Sequence, residues 1–341
     1  MPPPPTITFT IEYRDLAACK ADVVVLKYAR RFRGKERVIR DALIGRGIPE
    51  EAITPGDGEY RLVETRSGIA AEVALFVGTV PIGLSHYRTI REFTVRSLAI
   101  VKEQLPATRH VAMTIHGAGR GLDETECARA QVRGIMLAIQ LGTIPPELER
   151  ITICEISRKR ALRVQDRLAD YLNLSAFATR AERGWGYKIQ CPDRNCDPPD
   201  ERFEANGDDG EEKPYAFIAM PFREELDDIY FYGIQNPVHN NGLLCERVDQ
   251  SAFIGDVLAH IKTRIKNAKV LIAELSDASP NVYLEVGYAW GRGVPTILLT
   301  KSGEVLKFDV RNERCLVYKR IKDLEEILAR ELEALRESGR I

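Results

Sequence analysis

Glu285 is placed by its neighbours as the side chain best suited to chemistry in this sequence. Just upstream lies Ser276-Asp277-Ala278-Ser279-Pro280-Asn281, a polar cluster with helix-start chemistry, followed by Tyr283. A carboxylate in such a setting can act as nucleophile or charge stabiliser when a sugar C1′ becomes oxocarbenium-like. An apolar pocket around it would also tune its pKa. The run before the cluster, Val270-Leu-Ile-Ala273, reads as a buried strand, and Thr296-Ile-Leu-Leu299 after it reads as another. Glu285 then falls in the first turns of a short helix between them. In open parallel α/β sheets, loops at the carboxyl ends of the strands form the ligand crevice. Two further loops in this half should reach that crevice: Met220-Pro221-Phe222, and Arg247 with Asp249. No cysteine–histidine cluster, acidic cage or Gly-rich phosphate loop accompanies them, so carboxylate chemistry without a metal is expected. Simpler roles compete: Glu285 as a solvated helix carboxylate, Met220-Pro221-Phe222 as a structural turn, Asp277 and Asn281 as helix caps, Tyr230 and Tyr283 as packing residues, and an Arg247–Asp249 ion pair.

The elements that must position these residues can be read along the chain. Residues 7–12 alternate like a half-exposed strand, and Asp22–Lys27 reads as a buried one. Residues 35–46 have helical spacing and stop at Gly45-Arg-Gly47. Tyr60–Thr65 and Glu72–Val77 read as a hairpin, with Gly78-Thr79 at its end. Residues 84–104 are helical, with Leu84, Ile90, Phe93, Leu98 and Val101 on the apolar face. His110–Ile115 is a strand, the loop His116-Gly117-Ala118-Gly119-Arg120-Gly121 follows, and a helix covers 123–141. A strand at 151–156 and a helix at 158–173 complete an α/β layered half. Residues 176–213, acidic and proline-rich from Asp197, are expected to be connector and linker. A second α/β unit begins at 214. It has strands at 216–222, 243–248, 270–273 and 296–299, helices at 224–236 and 254–267, and short edge elements at 308–310 and 316–318. A charged helix from Ile321 is expected to present a solvated face or an oligomer contact. The domains are thus 1–175, a connector 176–213, and 214–341.

The chain has 341 residues, enough for two ordinary domains, with 44% hydrophobic and 29% charged residues. A net charge of -1 argues against a general DNA or membrane-surface binder. No apolar run approaches the roughly 18 residues that span a bilayer. Met1 and four prolines do not form a secretory signal, so a cytoplasmic location is expected. The seven cysteines fit reduced thiols, and Cys191 with Cys196, the only close pair, do not make a zinc site.

The segments Phe217-Ile-Ala-Met-Pro-Phe222, Asp227-Asp-Ile-Tyr230, Glu246-Arg-Val-Asp249 and Ser276–Pro295 resemble the TIR-like and nucleoside 2-deoxyribosyltransferase-like superfamily. The resemblance covers roughly 214–320 and implies a flavodoxin-like parallel sheet. It implies that Glu285 is the catalytic carboxylate, either the glycosyl nucleophile or the group that supports cleavage of the nicotinamide–ribose bond of NAD. Substrate contacts would come from Met220, Pro221, Phe222, Tyr230, Arg247, Asp249, Asp277, Asn281 and Tyr283. Ser279-Pro280-Asn281 departs from the family's Asn-Pro-Asn.

The N-terminal half, through Cys19–Ala29 and Val111–Ile139, resembles macro domains, and also the Rossmann-like sensors of CRISPR effectors that bind cyclic oligoadenylates. That resemblance implies an effector site at Gly78, Thr79, His116, Gly117, Gly119, Arg120 and Gly121. Together the two halves imply a nucleotide-gated NAD glycohydrolase of the kind found in bacterial antiviral effectors. It would need no cofactor, with NAD as substrate, a cyclic oligoadenylate or ADP-ribose derivative as second messenger, and a homodimer or filament as the active state. A deoxyribosyltransferase or nucleotide N-glycosidase, and a non-enzymatic nucleotide-binding module, are the alternatives.

Overall fold

The computed structural model describes residues 6–32, 34–79, 87–117, 121–190, 213–248, 257–303, 310 and 313–341. Leu84, Gly119, Arg120, Cys191, Cys196, Asp249 and all but Val310 of the expected edge element at 308–310 lie outside them. The chain forms two compact units: residues 1–118 with 124–199, and residues 119–123 with 200–341.

In the first unit the order is β1 (Ile7–Tyr13), β2 (Val23–Tyr28), α1 (Gly34–Ile44), α2 (Glu50–Ile53), β3 (Tyr60–Glu64), β4 (Val73–Gly78) and α3 (Tyr87–Gln104). Then come β5 (His110–Thr114), α4 (Glu124–Gln140), β6 (Arg150–Glu155), α5 (Arg158–Asn173), β7 (Ala178–Arg180) and β8 (Gly186–Ile189). The strands make one mixed sheet in the order β3-β4-β2-β5-β6-β1-β8-β7. Its centre is parallel, and the pairs β3–β4, β1–β8 and β7–β8 are antiparallel. The apolar runs Val23–Leu26 of β2 and Val73–Val77 of β4 suit strands covered on both faces. Phe76, Leu26, Ile39 and Ile53 are fully buried in the core on one side. Residues 178–180 and 186–189, expected within the connector, are instead strands of this sheet. Tyr187 pairs with Phe9, and its ring is buried while its hydroxyl donates to Asn173 Oδ1 at 2.8 Å.

The second unit runs β9 (Tyr215–Ala219), α6 (Asn236–Asn240), β10 (Leu244–Glu246), α7 (Val257–Asn267), β11 (Val270–Glu274) and α8 (Pro280–Gly291). It ends with β12 (Thr296–Lys301), β13 (Cys315–Tyr318) and α9 (Ile321–Glu337). The sheet order is β10-β9-β11-β12-β13, and every pairing is parallel. By order of appearance this is 2-1-3-4-5, the flavodoxin-like winding, and its direction reverses between β9 and β11. Two α/β units, one with a mixed and one with a parallel sheet, agree with the expected fold class.

Two expectations change here. The helix expected at 224–236 is a 3-10 turn (Glu224–Leu226) followed by a π-helical stretch, Ile229–Gln235, that runs into α6. Pro237 has no N–H to continue an α ladder, and Gly233 leaves room for Leu324 of α9 against the backbone. The C-terminal helix α9 is not merely a solvated face. Leu324, Leu328, Leu332 and Leu335 form a buried stripe at helical spacing that packs on the π-helical stretch. Burying each such leucine contributes about 1.5–3 kcal/mol.

Candidate functional site

Because the second sheet is wholly parallel, the loops after β10, β9 and β11 all leave its carboxyl edge, and β9 and β11 flank the switch point. Met220-Pro221-Phe222 follows β9, Arg247 follows β10, and the loop 275–279 follows β11. These are the segments the sequence singled out. Met220 is buried in the core below, whereas Phe222 is exposed.

Arg247 is the most constrained of these side chains. It is only 9% exposed. Its guanidinium lies 3.9 Å from the Phe222 ring centre and 4.3 Å from that of Tyr230. Such cation–π contacts gain strength when desolvated. Nη2 reaches Asp227 Oδ1 at 3.5 Å, and Nη1 is buried without a hydrogen-bond partner among the described residues. The neighbouring pair shows the contrast: Glu246 and Arg264 form a buried ion pair, and the Arg264 guanidinium lies 4.2 Å from the Tyr215 ring centre. Arg247 therefore keeps donor capacity at the carboxyl edge that the described residues do not consume. Burying an unused donor costs about 1–3 kcal/mol, which a ligand oxygen would recover.

Tyr230, expected as a substrate contact, is a core residue. It is 6% exposed, and its hydroxyl donates to the Cys245 carbonyl at 3.1 Å. Burial pushes its hydroxyl pKa well above the ordinary value. Its part in the site is to hold Arg247 from one side.

The loop after β11 is bent at Ala278, whose φ of 50° is left-handed. For a residue with a Cβ this costs about 1–2 kcal/mol, and strain of this kind clusters at functional loops. Ser279 is the N-cap of α8, without a side-chain cap bond, and Pro280 occupies the first turn. Asp277 does not cap the helix: it forms an ion pair with Arg223, tying this loop to the one after β9. Asn281 is exposed and Tyr283 half-buried. Glu285 is not a solvated helix carboxylate. It is 8% exposed and shares the buried stripe of α8 with Val282, Val286 and Ala289, the helix packing on β9, β11 and β12.

One residue of this edge escaped sequence reasoning. Glu274, the last residue of β11, is 1% exposed. Its Oε1 accepts from the Ser276 hydroxyl and from Tyr318 Oη at 3.0 Å, and its Oε2 has no partner among the described residues. Burial first and this carboxylate second push the Cys315 thiol up to about 11. At the end of an apolar run, Glu274 reads as a strand terminus, and only its burial marks it.

The first unit has its own opening at a sheet edge, a cavity of 420 Å³ beyond the carboxyl ends of β2 and β4. Gly78 and Thr79, two of the expected effector residues, line it. A methyl group on Gly78 would collide with the Gly56 carbonyl oxygen, so only glycine fits there. The opposite wall is one face of α3, with Thr89, Glu92, Phe93 and Arg96 at helical spacing. Arg96 donates to the Gly78 carbonyl at 3.3 Å and to that of Gly58, bracing the floor. Arg30, with φ of 61°, pairs with Asp57 at 3.0 Å, both more than half exposed.

His116, expected in the effector site, does not line this cavity. It is 3% exposed and packs edge-on against Phe93, ring centres 4.5 Å apart. Both ring nitrogens lack partners among the described residues. Burial, with Lys27 nearby, holds its pKa well below the ordinary value, so the ring is neutral. Gly117 and Gly121 have φ of 87° and 101°, so each serves a turn that disfavours other residues. Sequence reading thus found the β4 end of this cavity and missed Arg30, Asp57 and the α3 face. Their signal was the polar set Thr89, Glu92 and Arg96 beside an aromatic, which reads equally well as a solvated helix face.

Among the described residues no helix is long and apolar enough to cross a membrane, and no group of three or more His, Cys, Asp or Glu could hold a metal ion. No protein-family model and no curated protein matches the sequence. Solved structures similar to parts of the chain include a mutant macrodomain from Oceanobacillus iheyensis, with TM-score 0.39, 12% identity, and 50% of this chain and 98% of that chain covered. Another is the Trypanosoma brucei macrodomain in complex with ADP-ribose, with TM-score 0.37, 12% identity, and 47% and 68% covered. A third is the macrodomain of Thermus aquaticus DarG, with TM-score 0.34, 13% identity, and 43% and 97% covered. Likenesses this distant, over about half of the chain, assign it neither family nor ligand.

Proposed function

We propose that the second unit is an N-glycosidase that cleaves the nicotinamide–ribose bond of NAD, and that a nucleotide bound by the first unit gates it. The observation that carries this reading is Glu285, a buried carboxylate on the apolar face of the helix that follows the switch-point strand β11. In the proposed reaction the C1′–N bond breaks and neutral nicotinamide leaves with the bonding electron pair. The Glu285 carboxylate stabilises or traps the ribosyl cation, and water adds at C1′, giving ADP-ribose and a proton. Arg247, whose Nη1 has no hydrogen-bond partner among the described residues, suits a phosphate oxygen of the substrate. Phe222, exposed beside it, and Tyr283 are the aromatic surfaces for the leaving base. The reaction as written needs no cofactor.

The test is chromatography of NAD after incubation with the purified chain, alone and with cyclic oligonucleotides or ADP-ribose derivatives. Nicotinamide release that is lost in Glu285→Gln, with the fold kept, supports the reading. Full turnover by that variant, or base exchange between deoxynucleosides with no NAD cleavage, rejects it. Activity that rises faster than protein concentration would support assembly into a homodimer or filament.

A further inference from the structure

We infer that the cavity beyond β2 and β4 in the first unit binds a single nucleoside monophosphate, with Arg30 as the phosphate ligand. The inference deepens the gate of the reading above by naming the class of ligand it takes.

Four observations converge on one place. The volume, 420 Å³, lies near the small end of ligand pockets, which span roughly 300–1,000 Å³. That size suits one mononucleotide better than a dinucleotide. Phe93, 7% exposed, gives the wall a small apolar patch that a base can touch, and its edge-on contact with buried His116 fixes the ring. Arg96 is committed to the carbonyls of Gly58 and Gly78, so it leaves a fixed positive charge in the floor. Arg30 is the exchangeable cation, because it is held by Asp57 in a pair exposed on both sides. Exposed pairs contribute little, so replacing Asp57 by a phosphate costs little.

The charges select a monophosphate. Two arginines meet two carboxylates, Asp57 and Glu92, around the same volume, and Glu92 also meets Arg88 at 2.8 Å. A diphosphate or an RNA strand would set its charges against those carboxylates with, among the described lining residues, a single exchangeable arginine to answer them. A monophosphate uses Arg30 and leaves Asp57 and Glu92 to accept from ribose hydroxyls or a base amino group.

The experiment is isothermal titration of the full chain with AMP, adenosine, inorganic phosphate and ADP-ribose, repeated on Arg30→Gly, Asp57→Asn and Glu285→Gln. Glycine tolerates the backbone at position 30, so Arg30→Gly removes the guanidinium without adding strain. AMP is expected to bind, with adenosine and phosphate each weaker by about tenfold or more, one lost charge-assisted contact being worth about that factor. Arg30→Gly should weaken AMP by a similar factor. Asp57→Asn, which releases Arg30, should tighten inorganic phosphate. Glu285→Gln should bind AMP as the parent does, whether or not NAD is cleaved, so failure of the glycosidase reading is separable from failure of this one. Absence of AMP binding at millimolar concentration, unchanged AMP affinity in Arg30→Gly, or ADP-ribose binding more tightly than AMP would each overturn the inference.

Discussion

Each unit builds its opening at the carboxyl edge of parallel strands, and each bends the loop after a central strand through a left-handed residue with a side chain, Arg30 in one and Ala278 in the other. They differ in how they treat their arginines. In the first unit Arg30 is exposed and lightly paired, a group that can change partners at small cost. In the second, Arg247 is buried, held against two rings, and left with a nitrogen that has no hydrogen-bond partner among the described residues. The carboxylates follow the same division. Asp57 and Glu92 are exposed, whereas Glu274 and Glu285 are buried. A solvated, exchangeable set of charges suits reversible binding. A buried, preorganised set suits stabilising a charge that appears only in a transition state.

The largest effect is expected at Glu285. Replacement by Gln should cut NAD cleavage by about 10³-fold or more, the scale of losing an essential catalytic group, while circular dichroism and Tm stay near the parent's. Leu328→Ala should cost the second unit about 2–5 kcal/mol, because the leucine is fully buried in the α9 stripe. Its counterpart is Gly78→Ala, which should cost the first unit about 1–3 kcal/mol by forcing β4 away from Gly56. Denaturant unfolding followed by hydrogen exchange would locate each loss, and equal losses in both units from either variant would contradict the division.

Smaller effects probe the same division. Arg247→Lys keeps the charge but loses the planar stack on Phe222 and Tyr230, so KM for NAD should rise by about tenfold with the fold kept. A KM that does not move would return Arg247 to a purely structural role. His116 provides a pH test of the first unit. Its folded pKa is depressed, so the unfolded chain takes the proton first. The stability it contributes is complete above about pH 6.5 and is lost as pH falls through that value toward the lower folded one. His116→Phe should therefore flatten the decline in Tm between about pH 7 and 5. A parallel decline in both proteins would assign the acid sensitivity elsewhere. Smallest of all, Ala278→Gly should raise the second unit's stability by no more than about 1 kcal/mol by relieving the left-handed residue. Reduced turnover in that variant would show that the bend positions Asp277 or Glu285.

Much of the second unit is legible in its residue pattern. Val270–Glu274 and Thr296–Lys301 are largely continuous apolar runs, and Ser279-Pro280 announces the start of α8. The Glu285 environment follows in part, because Val282, Val286 and Ala289 share its side at helical spacing. The first unit's hairpin at Tyr60–Gly78 is equally plain. Less legible is any role that depends on a distant partner. Tyr230 and Phe222 read as substrate contacts, but their shared neighbour is Arg247, which lies outside the local pattern of either. The leucines of α9 are spaced as a buried stripe, yet the dense Glu and Arg between them conceal it. Residues 178–189 are too short to show a strand period without β1 beside them.

Local spacing is enough to set the alternation of strands and helices, the two-unit organisation and the loop and helix start that carry Asp277 through Glu285. Those features rest on hydrophobic period and turn chemistry, which act over a few residues. Long-range packing sets the rest: the 2-1-3-4-5 order of the second sheet, the capture of Arg247 between two rings, and the cavity that Gly78 shares with Arg30 and α3. Each depends on which strand lies beside which, and on which polar groups lose water in consequence, and neither is written in the order of neighbouring residues.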